Sequence, residues 1–322
     1  MRSLRNWLGD EFSSSKGQAR LLVLTYHRVL PAVDELFPDV VDARRFDAQA
    51  RMLAEEFNVL SLPEAVELLA TQKLPPRAVC ISFDDGYRDN REVALPILQR
   101  HGLTATFFVA TGFLDGGSMW NDRVIESLRI ASGPTMDVSE RGLGVLDLSD
   151  TSARRKSIDN VLDRIKHLPQ QERQAIADEL VARSKAESLG ELMMTSAQVC
   201  ELRAAGMTIG AHTVSHPILK VTDDKIAEDE IAVGRERLQD LLREPVEFFA
   251  YPNGRPGRDY DARHVAMVRR MGFRAAVSTA WGFADSHSDF AQLSRVAPWA
   301  KSLRRFQIDL WRAYRDRQTQ RA

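Results

Sequence analysis

The sequence predicts an α/β protein built on parallel strands, arranged either as a barrel or as an open doubly wound sheet. Short apolar runs alternate with segments of helical spacing along most of the 322-residue chain, which is typical of successive strand–helix–strand units. One long polar and charged stretch interrupts this alternation and indicates an insertion between two strands. Periodicity alone does not distinguish the closed barrel from the open sheet.

The apolar runs predict strands at residues 21–25, 59–62, 79–83, 105–110, 207–211, 247–251 and 274–279. Helical spacing predicts helices at residues 46–57, 64–70, 92–100 and 197–205, a long helix from Asp223 or Asp224 to about residue 243, and a helix that ends at Gly272. Pro63 suits the first turn of a helix, and Thr195 or Ser196 suits an N-cap.

We expect three parts along the chain: an N-terminal extension at residues 1–20, a (β/α) domain at 21–300 and a basic amphipathic C-terminal helix at 301–322. The insertion occupies about residues 112–192 and is partly helical. The arginines of the C-terminal helix predict a solvated face, with contact to a membrane surface or a partner protein as the alternative.

Composition excludes several classes of protein. The chain has 44% hydrophobic and 28% charged residues and a net charge of −1, so it has no global positive field that would favour nucleic acid. The two cysteines, Cys80 and Cys200, lie in apolar or amphipathic stretches and are expected to be buried thiols rather than a disulfide. No secretory signal and no transmembrane segment are visible. We therefore expect a cytoplasmic protein, free or peripheral to a membrane.

Two short motifs follow predicted strands and carry groups that bind metals. Asp84 and Asp85 follow the strand at 79–83, and His212 and His216 follow the strand at 207–211. Carboxyl ends of parallel strands meet at one edge, where active sites of barrel enzymes form. One carboxylate and two imidazoles make a three-ligand metal site that keeps an open position for water. Zinc suits these ligands best, but iron, cobalt or nickel would also accept them.

Each motif also has a purely structural interpretation. Paired acids after a strand often form a turn or cap a helix, and histidines four residues apart are common on helix surfaces. Gly210 before the histidine pair and Pro217 directly after it disfavour a helix there. Two such motifs at strand ends, in a chain with only 7 histidines, favour the metal site.

These motifs resemble the NodB-homology polysaccharide deacetylases, carbohydrate esterase family four, which carry [ST]-F-D-D-G and H-[ST]-x-x-H in this order. The resemblance implies an irregular (β/α)7-type barrel, with Asp84 as general base and Asp85, His212 and His216 as metal ligands. The string from Tyr26 to Arg28 resembles an N-terminal Y-H-R element of the poly-N-acetylglucosamine deacetylase branch. In that branch the early histidine, here His27, is the catalytic acid.

The chain departs from the common family pattern at two positions. Ala250 stands where many members have an arginine that orients the base, so that support is absent or comes from elsewhere. Arg295 stands where many members have a late histidine, and arginine cannot release a proton at working pH. His27 is therefore the expected acid, and His287, in a polar loop, is its competitor.

Three further residues are candidates for contact with substrate. The resemblance implies that the backbone N–H of Asn253 helps to hold the oxyanion and places Tyr251 beside it. Trp120, in the insertion, could stack on a sugar ring, although packing inside the insertion is an equally good interpretation.

The expected function is metal-dependent removal of N-acetyl groups from an amino-sugar glycan or glycoconjugate. Two alternatives remain open. The absent arginine at position 250 permits another non-peptide C–N bond, such as a cyclic imide or ureide, and a degenerate carbohydrate-binding protein without turnover would keep the fold.

Overall fold

The computed structural model describes residues 14–15, 18–185, 188–316 and 321–322. The chain divides into two compact units, one of Met1–Ala32, Asp39–Asp115 and Met194–Ala322, the other of Val33–Pro38 and Gly116–Met193. Most of the predicted N-terminal extension lies outside the described residues, as do residues 317–320 of the predicted C-terminal helix.

The strands are β1 (Leu21–Tyr26), β2 (Asn58–Val59), β3 (Ala78–Phe83), β4 (Thr106–Val109), β5 (Thr135–Asp137), β6 (Val145–Asp147), β7 (Thr208–Ala211), β8 (Phe248–Ala250) and β9 (Ala275–Val277). The α-helices are α1 (Ala43–Glu56), α2 (Leu62–Ala70), α3 (Leu95–Arg100), α4 (Trp120–Ile130), α5 (Thr151–Ile165), α6 (Gln170–Ser184), α7 (Ser196–Ala204), α8 (Asp224–Leu242), α9 (Ala262–Arg270) and α10 (Leu303–Ala313). A short antiparallel pair, Ser14–Ser15 with Gln18–Ala19, precedes β1.

The larger unit is built on one curled parallel sheet with the order β9-β8-β7-β4-β3-β1, and β2 also pairs with β3. The helices that connect parallel strands lie around it, as right-handed crossovers require. The prediction of a (β/α) barrel-like fold is confirmed. Strand β2 is shorter than the predicted 59–62, because Ser61 caps α2 and Leu62 is already helical.

The gap between the first and last strands is bridged by an extended segment, residues 293–296, which we call the closing segment. On one side Leu293 donates to Ala276 O and accepts from Ser278 N, both at 2.8 Å. On the other side Val296 donates to Val23 O at 2.8 Å and accepts from Thr25 N at 3.0 Å. These bonds form parallel bridges from Leu293 to Val277 in β9 and from Val296 to Leu24 in β1.

Side chains of the strands alternate between two apolar clusters, because successive residues of a strand point to opposite faces. Leu22, Leu24 and Ile81 belong to a large cluster that includes apolar residues from α1, α3, α7, α8, α9 and α10. Leu21 and Cys80 belong to a second cluster on the other face, joined by residues of α2. Both faces of the sheet are therefore buried in apolar contacts, as expected for a parallel sheet with helices outside.

The smaller unit has its own apolar core. Helices α4, α5 and α6 and the antiparallel pair β5–β6 contribute buried residues to it. Among them are Val124, Leu146, Ile158, Val161 and Leu180. The helical character that the sequence predicts for this part of the chain is present in the structure.

None of the helices in the described part of the chain is long and apolar enough to cross a membrane. Helix α10 buries Phe306, Leu310 and Ala313, and it exposes Arg304, Arg305 and Arg312 to solvent.

Candidate active site

The end of β3 delivers the two acidic residues. Ser82 and Asp84 alternate on the same face as Cys80, so the side chain of Asp84 is directed to the face of the second apolar cluster. The backbone N–H of Asp84 donates to Tyr26 O at 2.9 Å, which extends the β1–β3 ladder by one bond. Asp85 then adopts a φ of 79° and Gly86 a φ of 92°, which ends the strand sharply.

The end of β7 delivers the two histidines. His212 is fully buried, and its Nδ1 lies 2.7 Å from the backbone oxygen of Ala250. Because a carbonyl can only accept, Nδ1 of His212 is the donor, and Nε2 faces Asp85 Oδ1 at 3.4 Å. A backbone carbonyl that orients a histidine in this way is a common support for a metal ligand.

The loop from His212 to His216 has an unusual backbone. Thr213 and His216 have φ values of 64° and 52°, a left-handed conformation that is rare for a β-branched residue and persists only where neighbours impose it. Thr213 Oγ1 donates to His212 O at 2.5 Å and accepts from His216 N at 3.1 Å.

Helix α8 holds this loop from outside. The carboxylate of Glu230 accepts from Val214 N at 2.9 Å, and from Ser215 N and Oγ at 2.8 and 2.6 Å. At Gly234 an added Cβ would lie 2.8 Å from the carbonyl carbon and oxygen of Thr213. A glycine is therefore required for the helix to approach the loop this closely.

The predicted ligand atoms come together. Asp85, His212 and His216 offer ligand atoms that all lie within 4.8 Å of one another. Oδ1 of Asp85 is 3.4 Å from Nε2 of each histidine, and this buried oxygen has no hydrogen-bond partner among the described residues. An orphaned buried carboxylate oxygen facing two imidazole nitrogens fits a divalent cation.

The electrostatics differ among the three groups. Burial would lower the pKa of His212, but Asp85 and Asp84 outweigh burial and raise it. Burial opposes ionisation of Asp85, but the neighbouring His212 and His216 outweigh it and hold the pKa of Asp85 well below its usual range. Burial, with added repulsion from His212, lowers the pKa of His216 to about 4 despite the nearby Asp85. Asp85 is therefore a carboxylate and His216 a neutral imidazole at neutral pH.

Asp84 does not join the metal ligands; it is paired with Arg295. The guanidinium Nη1 and Nη2 of Arg295 donate to Oδ1 and Oδ2 of Asp84, both at 2.7 Å, and Nε donates to Ser278 O at 2.8 Å. Both side chains are buried. Burial would raise the pKa of Asp84, but the charge and hydrogen bonds of Arg295, together with His212 and His27, outweigh burial and the net shift is downward.

His27 follows β1 next to this pair. It comes directly after Tyr26, whose carbonyl accepts from Asp84 N. Its backbone oxygen accepts from Asn90 Nδ2 at 2.8 Å. His27 also belongs, after burial and stronger neighbours, to the groups that lower the pKa values of Asp84 and Asp85. The early histidine thus lies beside the acidic motif, whereas His287 is exposed on a loop after β9.

The remaining predicted residues have defined surroundings. Tyr251 is buried, stacks on Tyr260 at 3.8 Å between ring centroids, and donates to Ala291 O at 2.8 Å. Asn253 has a φ of 57°, and its carbonyl accepts from Thr279 Oγ1 at 2.9 Å. This turn directly follows the strand that supports His212.

Trp120 belongs to the smaller unit. The guanidinium of Arg173 lies 4.7 Å from its ring centroid, and the indole packs against the core of that unit. This is the packing interpretation that the sequence offered; a contact between Trp120 and a sugar stays a prediction.

Sequence reasoning missed Arg295 as the partner of Asp84. It noted an arginine absent at position 250 and an unexpected arginine at 295 as two separate departures. Charge balance could have connected these two departures. A buried carboxylate such as Asp84 needs a cation or several hydrogen-bond donors, and Arg295 was an arginine without an assigned role. Glu230 and Gly234 carry no motif and were also missed.

Comparisons with known proteins identify the family of the chain. A polysaccharide deacetylase family profile matches residues 71–144 and 156–276, more than half of the chain. The Bacillus subtilis (strain 168) protein named "Putative polysaccharide deacetylase YxkH" is 32% identical over 93 residues, which is 28% of this chain and 32% of that protein. The match thus spans about a third of that relative's own length.

Two solved structures share the fold over nearly their whole length. The Streptococcus pyogenes deacetylase PplD, solved in complex with acetate, has 20% identity and a TM-score of 0.58, covering 87% of this chain and 92% of that chain. IcaB from Ammonifex degensii has 19% identity and a TM-score of 0.58, covering 91% and 96%. With the family profile aligned across both the aspartate and the histidine motifs, the chain belongs to the polysaccharide deacetylase family.

Proposed function

We propose that this protein is a metal-dependent hydrolase that removes N-acetyl groups from an amino-sugar glycan or glycoconjugate. The observation that carries the proposal is a buried, ionised Asp84 directly beside the Asp85–His212–His216 cluster. A carboxylate that does not bind the metal but adjoins its ligands is placed to act as a general base.

The metal site is assigned to Asp85, His212 and His216. When bound, a divalent ion supplies Lewis-acid polarisation of the acetamide carbonyl and makes water more acidic. Two imidazoles and one carboxylate with room for water favour zinc, although iron, cobalt and nickel also accept such ligands.

The chain's own residues supply the proton transfers. Asp84 takes a proton from the attacking water, whose oxygen bonds to the acetyl carbon. Arg295 keeps Asp84 ionised and fixes the plane of its carboxylate through two parallel hydrogen bonds. His27 gives a proton to the nitrogen as the C–N bond breaks, and the products are acetate and a free amine.

Stabilisation of the oxyanion is assigned to the backbone N–H of Asn253. The turn that carries it is fixed on both sides, because Thr279 N donates to Gly254 O at 2.8 Å and Thr279 Oγ1 donates to Asn253 O. A preorganised donor of this kind contributes through electrostatics.

Mass spectrometry of a panel of N-acetylated glycans tests the proposal. Protein loaded with zinc should convert at least one glycan to a product lighter by one acetyl group, and Asp84→Asn protein should not do so at a comparable rate. Zinc binding without release of acetate from any member of the panel would favour a carbohydrate-binding protein instead.

A cyclic imide or ureide remains the second substrate class to assay. That alternative rested on the missing arginine at position 250, and Arg295 now supplies a guanidinium to the base from the closing segment. Hydrolysis of an imide but of no N-acetylated sugar would reverse the choice.

A further inference from the structure

A π-helical turn directly follows the aspartate motif. Residues Asn90–Ala94 form this turn, and Asp89 precedes it. Single π-turns are rare and occur frequently at functional sites. Here the wider turn leads into α3. Asp89, which precedes the turn, and Asn90, its first residue, are both buried although they are polar.

The carboxylate of Asp89 binds the segment after His27. Oδ1 of Asp89 accepts from Val29 N at 2.9 Å, and Oδ2 accepts from Arg28 Nε at 2.8 Å. The guanidinium of Arg28 also lies 4.8 Å from the ring centroid of Tyr87. These contacts explain why the Y-H-R element needs its arginine: the side chain ties the element to the residues that follow the aspartate motif.

The amide of Asn90 binds His27 itself. Nδ2 of Asn90 donates to His27 O at 2.8 Å and to Asp89 Oδ1 at 3.2 Å. Asn90 is fully buried. On the other side of His27, the carbonyl of Tyr26 accepts from Asp84 N. The backbone is therefore held at Tyr26, His27 and Val29, and Arg28 is held through its side chain.

Burying the polar side chains of Asp89 and Asn90 costs free energy, and we expect the benefit to be the selection of one backbone conformation. Buried polar groups are tolerated when hydrogen-bonded, and apolar residues of similar size would stabilise a loop about as well. A network of directional bonds to four consecutive residues restricts the backbone of His27 to one orientation. His27 is thereby held at the residue next to Tyr26, whose carbonyl accepts from Asp84 N.

We propose that Asp89 and Asn90 are positioning residues for His27, so that residues 84–90 carry the base, one metal ligand and the support of the acid. The proposal rests on the proposed function, in which His27 is the proton donor. A small displacement of a catalytic group lowers turnover strongly, whereas substrate binding and metal binding need not change.

A double-mutant cycle between Asn90 and His27 tests the proposal. Asn90→Ala should lower kcat by about tenfold or more in the wild-type background, with KM and zinc content unchanged. In a His27→Ala background the same substitution should have almost no further effect, because its target is gone. Glu92→Ala is the matched control, since Glu92 is exposed in the same turn, and it should leave kcat unchanged.

Equal losses from Asn90→Ala in both backgrounds would overturn the positioning role and leave the proposed function intact. Full activity of His27→Ala would overturn the assignment of His27 as acid, and the positioning proposal with it. If Asn90→Ala does not fold, Arg28→Met is the second variant. It removes the ion pair between Asp89 and the partly exposed Arg28, and its effect on kcat should likewise disappear in the His27→Ala background.

A readout without substrate keeps the proposal testable if no glycan is turned over. The ring resonances of His27 should be single and sharp in the zinc-loaded protein and broadened or doubled in Asn90→Ala. Unchanged His27 resonances in that variant would contradict the proposal whatever the enzyme's substrate.

Discussion

The metal ligands and the Asp84–Arg295 pair are mounted on different kinds of backbone. Asp85 and His216 lie on turns with positive φ, where surrounding residues such as Glu230 impose the conformation. Asp84 and Arg295 lie on extended segments whose side chains meet between the strands, 211 positions apart in sequence. Two of the three metal ligands are therefore held by turns, whereas Asp84 and Arg295 are held by extended segments, although Asp85 and His212 are buried as Asp84 is.

This difference predicts different consequences of mutation. Replacing a metal histidine with alanine removes an imidazole at the end of a strand but breaks no ion pair with a permanently charged group, which the barrel can tolerate. Removing Arg295 leaves an ionised carboxylate in a dry interior, which the fold tolerates poorly. Variants of both groups of residues test this contrast.

Replacing either metal histidine should abolish metal binding and activity together. His212→Ala or His216→Ala removes one of three ligands, so we expect zinc content to fall from about one per chain to near zero. Circular dichroism should show a folded protein with a midpoint close to that of the metal-free wild type. Full zinc retention in both variants would refute the ligand assignment.

The two neighbouring aspartates should behave differently. Asp84→Asn should retain zinc and lose turnover by about 10²–10⁴-fold, the usual contribution of a general base. Asp85→Asn should lose zinc affinity first. Zinc titrations of both variants decide the matter, and loss of zinc from the Asp84 variant alone would mean that the roles are reversed.

The two candidate acids offer a second matched pair. His27→Ala should lower kcat by about 10²–10⁴-fold with zinc content unchanged. His287→Ala should change kcat little, because that side chain is exposed on a loop. Steady-state kinetics on one N-acetylated substrate measure both, and a large effect confined to position 287 would reassign the acid.

Arg295→Met should reduce stability more than any metal-ligand variant. Breaking a buried ion pair by removing one partner typically costs about 3–5 kcal/mol. The double variant Asp84→Asn/Arg295→Met should recover much of this loss, because no charge is left unpaired. Urea denaturation of the metal-free proteins provides the comparison, and an additive loss in the double variant would contradict the pairing argument.

The stability lost in Arg295→Met should depend on pH in a definite direction. In the wild type the lowered pKa of Asp84 contributes stability above the unfolded value of about 4, and this contribution disappears as the pH falls through the folded value. In Arg295→Met, burial alone raises the pKa of Asp84, so protonation at falling pH relieves the unpaired charge. The stability difference between the two proteins should therefore shrink on acidification.

The smallest effect is expected where α8 supports the histidine loop. Glu230→Ala removes the acceptor of three hydrogen bonds and should weaken zinc affinity by about tenfold, in the range seen for supporting contacts of metal sites. Glu236→Ala, an exposed position on the same helix, is the control. Equal zinc affinities of the two variants would show that the loop holds its shape without Glu230.

The sequence allowed prediction of what depends on neighbours along the chain. The strand positions, the caps at Thr195 and Asp223 and the two strand-end motifs follow from local patterns. Arg295 does not, because its segment of four residues is too short and irregular to be recognised as part of a sheet. Its role depends on which segment occupies the gap between β9 and β1, and that is decided by the closure of the whole barrel.

The same limit applies to Asn90 and Gly234. Each appears ordinary within its own helix, and each matters only through a backbone carbonyl that another part of the chain brings to it. A residue that acts on distant main-chain atoms leaves no periodic signature. Such residues are found only once the fold is known.

The closing segment also couples closure of the sheet to the charge of Asp84. Residues 293–296 dock between the first and last strands, and the same four residues bring Arg295 to Asp84. Without Arg295 the buried aspartate would lack its strongest positive neighbour, and burial would favour the protonated acid. The segment that completes the sheet and the segment that neutralises Asp84 are thus one and the same.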